Sequence, residues 1–468
     1  MPITIPNAFD VARLEAQRPE LLREAARRSL AYLETLRARS VAPVPAALEA
    51  LRALDTPFPD APSDAAETLS LLDGLGSPAA MASAGGRYFG FVIGGVLPAS
   101  LAANWLAGAW DQNASMRAGS PSACAIERVA TRWIVEALGL APGAHCSLTT
   151  GTTASDITAL VAARRTVLLR HGWDVERQGL AGAPPIRGIV GEEVHATMYR
   201  ALAVVGIGRD QIHRVPVDGQ GRMRAEALPV IEGPSIVCVQ AGNVNTGAFD
   251  PVADICQRVQ PAGAWVHLDG AFGIWAAASP RLRHLITGLD QVDSSAADAH
   301  KWLNTPYDCG LVSVRDPQAL AEALSLSAEY LAQSADDPMN TTLEASRRAR
   351  GIEVWAALHS LGRQGLAALV ERSCALATRF AAGLRAAGHD VLNEVQLNQV
   401  LVSFGDAQTT RRVIEAVQRD GTCWAGGSTW QGHAAMRISV SSWATTEDDV
   451  DRSLAAILRA AAATFASS

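Results

Sequence analysis

The sequence predicts an α/β protein with a doubly wound, mostly parallel sheet, followed by a smaller α+β domain. Between about residues 120 and 315, short apolar runs alternate with helical stretches, as in a sheet covered by helices on both faces. After Arg350 a long helical stretch precedes two further apolar runs with a helix between them. The composition, 49% hydrophobic and 19% charged over 468 residues, indicates a folded chain of about two to four domains.

The N-terminal segment, residues 1–78, is expected to be helical and to pack on a neighbouring chain. Residues 10–55 carry leucines at helical spacing, residues 55–64 form a proline-rich connector, and a short helix over 64–73 ends at Gly74. This segment is too small to fold alone.

The large domain is expected over residues 79–355. A helix over 122–138 ends at Gly139, an apolar run leads into Thr149, and a second helix runs from Ser155 to about Arg170. Further short apolar runs, which we interpret as buried parallel strands, lie at 188–190, 213–217, 236–239, 265–268 and 311–314.

The small domain is expected over residues 356–468. A long helix covers about 351–387, and apolar runs at 398–404 and 435–441 predict strands. One helix near 408–419 lies between those strands, and another closes the chain at 446–465.

Charge and cysteine content exclude several classes of protein. The net charge is −7 and no block of basic residues is present, which argues against nucleic-acid binding. The seven cysteines are dispersed without a C-x-x-C pair, and the N-terminus lacks a signal peptide pattern, so we expect a cytoplasmic protein. The ten histidines show no metal-ligand spacing. Residues 88–110 carry no charge, but glycine and proline interrupt them, which favours a buried loop and helix over a membrane span.

The chain contains 39 arginines and a single lysine, Lys301. Arginine can replace lysine where only a positive charge is needed, but its guanidinium stays protonated and is a poor nucleophile. Codon bias with one remaining lysine would explain the count. A requirement for a nucleophilic amine would explain it as well.

Four features follow predicted strands, at the edge where open α/β sheets bind ligands. They are the turn 151–153 (GTT) before a helix, Asp269, His195, and Lys301 with His300 before it. Each has an ordinary structural reading as a helix cap, a paired buried carboxylate, a structural histidine or a leftover lysine. Together they provide a phosphate site, a partner for a ring nitrogen, a stacking imidazole and a Schiff-base amine, which is the set that pyridoxal phosphate requires.

The sequence resembles the group II pyridoxal-phosphate-dependent amino acid decarboxylases, which include aromatic amino acid and glutamate decarboxylases. Residues 298–304 read DAHKWLN, like the family's D/N-x-H-K-W segment, and residues 265–273 read WVHLDGAFG, like its W-x-H-V-D-A-A-Y-G. Residues 241–251 (AGNVNTGAFDP) resemble its T-x-x-T-G-A-x-D-P loop. The resemblance covers about residues 87–442 and implies a fold type I enzyme, similar to aspartate aminotransferase.

The resemblance also implies roles for individual residues. Lys301 is the Schiff-base lysine and Asp269 the partner of the pyridine nitrogen, with His195 stacked on the ring. The other implied cofactor contacts are Gly151, Thr152, Thr153, Thr246, Ala271, Asp298 and His300. The phosphate turn departs from the family's usual G-G-S-E-A-N, because residues 151–156 read GTTASD.

Three further assignments concern the substrate. Tyr330 matches the family's mobile-loop tyrosine, the expected acid that reprotonates Cα. Arg437 matches an arginine that can meet a substrate carboxylate. Phe89 and Phe91 match an aromatic segment that lines the substrate pocket and is contributed by the other subunit of a homodimer.

These observations predict decarboxylation of an L-amino acid to an amine and CO2. Transamination or oxidative deamination on the same cofactor remains an alternative, and Tyr330 favours decarboxylation. A fold relative that binds without catalysis is a second alternative. The sequence does not identify the amino acid.

Overall fold

The structure, a computed structural model, describes residues 10–324 and 337–466. The expectation for Tyr330 therefore lies outside the described residues. In the described ranges the chain forms two sheets, each with helices packed against it.

The larger sheet has seven strands in the order β1-β7-β6-β5-β4-β2-β3. Its strands are β1 (His145–Thr149), β2 (Arg187–Gly191), β3 (Ile212–Val215), β4 (Ser235–Gln240), β5 (Trp265–Asp269), β6 (Ser294–Asp298) and β7 (Gly310–Val314). Within this sheet β7 runs antiparallel to its neighbours β1 and β6, and the other neighbouring strands are parallel. The predicted mostly parallel sheet is confirmed.

Helices cover both faces of this sheet, as the doubly wound pattern predicts. In chain order the helices of this part are α4 (Pro98–Trp110), α5 (Pro121–Leu138), α6 (Thr152–Leu169), α7 (Val175–Gln178), α8 (Ala196–Val204), α9 (Val252–Val259) and α10 (Pro317–Leu324), which follow α1 (Val11–Thr35), α2 (Pro45–Ala50) and α3 (Ala65–Ala79). One apolar core joins the sheet to α6, α8 and α10, and another joins it to α5 and α9. Every residue of β4 to β7 is buried, which both covered faces require.

The C-terminal part forms the smaller α+β domain. Its antiparallel sheet has the order β10-β11-β9-β8. The strands are β8 (Asp390–Val391), β9 (Gln399–Ser403), β10 (Gly426–Trp430) and β11 (His433–Ser439), and the helices are α11 (Gly351–Ala386), α12 (Ala407–Asp420) and α13 (Glu447–Ala466). The helix α11 contacts both domains and is kinked at Gly362, which has a φ of 58°.

Helices α1 to α3 have no buried residue within the single chain. They contact one another, and their apolar side chains lie on the surface, for example Leu22 and Leu72, which are both 60% exposed. Among the described helices, α4 included, none is both long and apolar enough to cross a membrane.

Candidate active site

A cavity of about 480 Å³ opens at the carboxyl ends of the parallel strands. Residues from the loops after β1, β2, β4, β5 and β6 line it, together with one loop before α4 and one strand of the small domain. The lining residues are Phe91, Val92, Thr150, Gly151, Thr152, Thr153, Ala154, His195, Thr197, Gln240, Gly242, Val244, Asp269, Ala271, Phe272, Asp298, His300, Lys301 and Arg437. Most of the side chains predicted from the sequence therefore lie together.

Lys301 follows β6 and points its amine at a buried carboxylate. Its Nζ lies 2.8 Å from Asp298 Oδ2, and its side chain is 21% exposed against 4% for Asp298. Burial alone would raise the pKa of Asp298, but Lys301, His300 and two hydrogen bonds more than offset burial, so the pKa is lowered. Asp298 is therefore ionised at neutral pH.

The turn before α6 offers donors to an anion. Gly151 is the N-cap of α6, and the backbone N–H of Thr152 donates to Asp298 Oδ1 at 2.6 Å. The hydroxyl of Thr152 is buried and has no hydrogen-bond partner in the described part of the chain. A buried hydroxyl without a partner is costly, so this group is suited to a ligand oxygen. The helix N-terminus adds favourable partial charge.

Asp269 ends β5 and faces the cavity. It is 6% exposed, and one carboxylate oxygen, Oδ1, accepts a hydrogen bond from the backbone N–H of Ala271 at 3.1 Å. The resembling motif W-x-H-V-D-A-A-Y-G has alanine where this chain has Gly270, and a Cβ there would lie 2.7 Å from Cβ of Ile274. Ile274 thus occupies the space that the alanine would need.

His195 is the N-cap of α8, which determines its tautomer. Its Nδ1 lies 2.7 Å from Thr197 Oγ1 and accepts from the backbone N–H of Thr197 at 3.4 Å. Because Nδ1 accepts, the neutral ring carries its proton on Nε2. Burial lowers the pKa of His195, which favours this neutral form.

His300 is held between a backbone donor and an aromatic ring. The N–H of Cys309 donates to His300 Nδ1 at 3.1 Å, and His300 Nε2 lies 3.5 Å from Asp298 Oδ1. Tyr307 stacks on the imidazole with centroids 4.1 Å apart, and burial raises the pKa of Tyr307 to about 12. The sequence did not indicate Tyr307, because no motif or pattern marked it.

Two predicted contacts lie outside the cavity. The hydroxyl of Thr246 donates to the carbonyl of Gln220 at 2.7 Å and accepts from the N–H of Ala248 at 3.2 Å. Thr246 is thus a buried part of its own loop, and Val244 lines the cavity in that region. The predicted contact between Thr246 and the cofactor stays a prediction.

Phe89 also lies outside the cavity, and its predicted contact with the substrate stays a prediction. It is 1% exposed and its ring packs edge-on against Phe380, inside the core of the small domain. Phe91 lines the cavity of its own chain, and the expected contribution of this segment by a second subunit stays a prediction.

The loop that carries Phe91 is held by Trp424, a residue that the sequence did not indicate. Trp424 stacks on Phe91 at 5.4 Å and on Tyr88 at 5.2 Å, and its backbone bonds to this loop. Phe91 and Val92 have φ values of 52° and 60°, a left-handed conformation that is costly for such side chains. A Cβ at Gly90 would clash with the Trp424 ring.

Arg437 brings a cation from β11 to the cavity. It is partly buried, pairs across the ladder with Gly426, and forms no ion pair with any described acidic residue. Burial lowers the pKa of its guanidinium, although not enough to remove the charge. An unpaired, partly buried guanidinium is suited to a carboxylate.

The residues present fit pyridoxal phosphate. The Thr152 hydroxyl without a partner is available to a phosphate, the Asp269 carboxylate to a ring nitrogen, and the Lys301 amine to an aldehyde. In the described ranges no cluster of three or more histidine, cysteine or acidic side chains is arranged to hold a metal ion.

Comparison with known proteins identifies the family. Residues 86–405, more than half of the chain, match the pyridoxal-dependent decarboxylase conserved domain. Tryptophan decarboxylase 1 of Oryza sativa subsp. japonica is 26% identical over 76% of this chain and 76% of its own length. The acidic amino acid decarboxylase GADL1 of Mus musculus is 30% identical over 62% of this chain but only 54% of its own length.

The fold is also similar to that of a solved structure. The crystal structure of Oryza sativa TDC with PLP and tryptamine superposes with a TM-score of 0.89 at 22% identity, covering 98% of this chain and 99% of that one. This similarity confirms the predicted fold type I architecture.

Proposed function

Because the chain belongs to the pyridoxal-dependent decarboxylase family, we propose that it converts an L-amino acid to the corresponding amine and CO2. The protein is a pyridoxal-phosphate-dependent carboxy-lyase by family, and pyridoxal 5'-phosphate is its cofactor. The observation that carries the proposal is the position of Lys301, the single lysine, in one cavity with Asp269 and the start of α6.

The cofactor contacts are proposed from this geometry. Lys301 supplies the amine that binds the cofactor's aldehyde carbon, and Asp269 pairs with the protonated ring nitrogen. Gly151, Thr152 and Thr153 bind the phosphate, with Asp298 and His300 beside them, and His195 and Ala271 flank the ring. When bound, the cofactor accepts the electron pair of the breaking Cα–carboxylate bond into its ring.

The substrate contacts are proposed next. Arg437 binds a substrate carboxylate as a bidentate partner, because no described carboxylate competes for its guanidinium. Phe91, which lines the cavity and is 61% exposed, contacts the substrate side chain.

A proton must reach Cα after CO2 leaves. We propose Tyr330 as the acid, on the resemblance alone, since that residue lies outside the described ranges. The Nε2–H of His195 is placed by its tautomer to donate within the cavity. Exclusion of water would favour proton delivery from these groups over exchange with solvent.

We further propose a homodimer with the active site near the interface. Helices α1 to α3 contain no buried residue within one chain. Exposed Trp105, Leu106 and Trp110 on α4 directly follow the loop that carries Phe91. A second copy would cover both apolar surfaces. We propose the boundaries 1–78 for the N-terminal segment, 79–355 for the large domain and 356–468 for the small domain.

The test is a panel of single L-amino acids given to the purified protein with pyridoxal phosphate. We expect CO2 and amine in equal amounts from one class of amino acid, and none from Lys301→Ala. Aldehyde and ammonia without amine would establish the oxidative alternative. Cofactor binding without any product would support the non-catalytic alternative.

A further inference from the structure

A buried chain of hydrogen bonds lies behind the cavity and does not line it. Trp265 Nε1 donates to Ser294 Oγ at 2.8 Å, and His267 Nδ1 lies 2.8 Å from the same oxygen. His267 Nε2 lies 3.1 Å from Asp156 Oδ1. We refer to these four side chains as the Asp156–Trp265 network.

The network joins three of the elements that carry or lead to proposed cofactor contacts, namely α6, β5 and β6. Asp156 lies in the first turns of α6, just after the phosphate turn 151–153. His267 precedes Asp269 by two positions on β5, so both side chains project from the same face of the strand. Ser294 begins β6, the strand that leads to Asp298 and Lys301. The network therefore fixes the spacing between these elements.

The direction of each hydrogen bond follows from Trp265. An indole N–H can only donate, so the Ser294 hydroxyl accepts from it. Among the described residues the only other partner of that hydroxyl is His267 Nδ1, so the Ser294 proton is directed there. His267 then carries its ring proton on Nε2 and donates it to Asp156.

The same geometry determines the charge of Asp156. The side chains of Asp156 and His267 are both 0% exposed, and Asp156 Oδ2 has no partner in the described part of the chain. Burial raises the pKa of Asp156 well above its usual 3.8, Asp269 and Asp298 raise it further, and Lys301 does not offset them. Burial also lowers the pKa of His267 to about 4. His267 is therefore neutral near pH 7. An ionised Asp156 would be a fully buried charge with no cation in contact and one oxygen without a partner among the described residues, so the geometry favours its neutral form.

We propose that His267 and Asp156, the latter as a neutral carboxylic acid, are positioning residues for the cofactor. They hold the phosphate turn at a fixed distance from Asp269 and add no second negative charge beside that carboxylate. A charged Asp156 would instead repel Asp269 in a poorly solvated interior. The inference rests on the proposed roles of residues 151–153 and Asp269.

The test compares variants by cofactor binding to the apoprotein and by the pH at which the bound cofactor changes its absorption. His267→Leu removes both links, and His267→Gln serves if the leucine variant does not fold. Asp156→Asn keeps a neutral group that can accept from His267. Thr410→Val is the matched control, because Thr410 is also fully buried and accepts one hydrogen bond, from Phe404 N–H in the small domain.

We expect His267→Leu or His267→Gln to weaken pyridoxal phosphate binding by about 10-fold, because the buried hydrogen bonds of His267 to Ser294 and Asp156 are lost or weakened. Thr410→Val should lower the unfolding temperature by about as much as the His267 variants do, and it should leave cofactor affinity unchanged. Asp156→Asn should leave both the affinity and the absorption pH close to those of the wild type.

Two results would overturn the proposal. Wild-type cofactor affinity in the His267 variants, at a lowered unfolding temperature, would show that the network only stabilises the fold. A shift of about one unit or more in the absorption pH of Asp156→Asn would show that Asp156 is charged. Failure of the wild type to take up cofactor would instead overturn the proposed function on which this inference rests.

Discussion

Lys301 and Asp298 form an ion pair inside the cavity, with Nζ 2.8 Å from Oδ2. The other oxygen of Asp298 accepts from the backbone N–H of Thr152 at 2.6 Å. One carboxylate thus connects the single lysine of the chain with the first residue of α6. The amine is held beside the turn that is proposed to bind the phosphate.

The first prediction follows from the single lysine. Borohydride reduction of the protein with bound pyridoxal phosphate should attach the cofactor to one peptide, which contains Lys301, because the chain has no other side-chain amine. Peptide mass spectrometry measures this directly. Lys301→Arg is the control, since it keeps the charge but not the nucleophile. Equal labelling of that variant would disprove the assignment.

The second prediction concerns the Thr152 hydroxyl, which is buried without a described partner. Thr152→Val should weaken pyridoxal phosphate binding by about 10-fold, because a hydrogen bond to a charged group contributes about 1.5–3 kcal/mol. Absorbance titration of the apoprotein gives the dissociation constant. Thr158→Val in the same helix is the control, as its hydroxyl already bonds to Ala154 O at 2.7 Å. Similar losses in both variants would count against a phosphate contact.

The cavity residues whose positions the sequence predicted best are those next to strands. Asp269 ends an apolar run and His195 shortly follows another, so strand position alone places them at the correct edge of the sheet. No apolar run marks strand β6, which leads to Lys301, because Ser294–Asp298 has small side chains, so the bounds of this strand could not be predicted. Its burial by helices on both faces determines its conformation.

Contacts between distant parts of the chain could not be predicted. Trp424 meets Phe91 only because the small domain packs against the loop before α4, and Tyr307 meets His300 through a turn that carries no motif. The hydrogen bond from the Thr246 hydroxyl to the carbonyl of Gln220 also joins distant positions and could not be predicted. In each case tertiary packing decides which groups a side chain meets.

The third prediction concerns Arg437. Arg437→Met should raise KM for the amino acid by about 10-fold or more, because a charge-assisted bidentate contact is lost. The KM of Arg437→Lys should fall between those of the wild type and Arg437→Met, since an ammonium cannot form the same pair of bonds. Steady-state kinetics with the best substrate measures both. Arg379→Met, which removes exposed ion pairs with Asp451 and Glu447 far from the cavity lining, is the control and should leave KM unchanged.

The fourth prediction concerns Gly90, where a Cβ would clash with Trp424. Gly90→Ala should move the loop that carries Phe91 and lower kcat/KM by about 10-fold, a loss of roughly 1.4 kcal/mol. The double variant Gly90→Ala/Trp424→Leu should lose less activity than the sum of the losses in the two single variants, because the smaller side chain at position 424 relieves the clash. Strictly additive losses would show that the two residues act independently.

The fifth prediction is a pH dependence of stability caused by His267. Its pKa is lowered from the usual 6.5 to about 4 by burial, so between these values the unfolded chain binds a proton that the folded chain does not. The wild type should therefore lose unfolding free energy as the pH falls from 6.5 towards 4. His267→Gln cannot bind that proton, so its unfolding free energy should fall less over the same range, while acidic groups common to both proteins contribute equally. Denaturant unfolding of both proteins at several pH values measures the difference, and equal slopes would mean that His267 is already protonated in the folded protein.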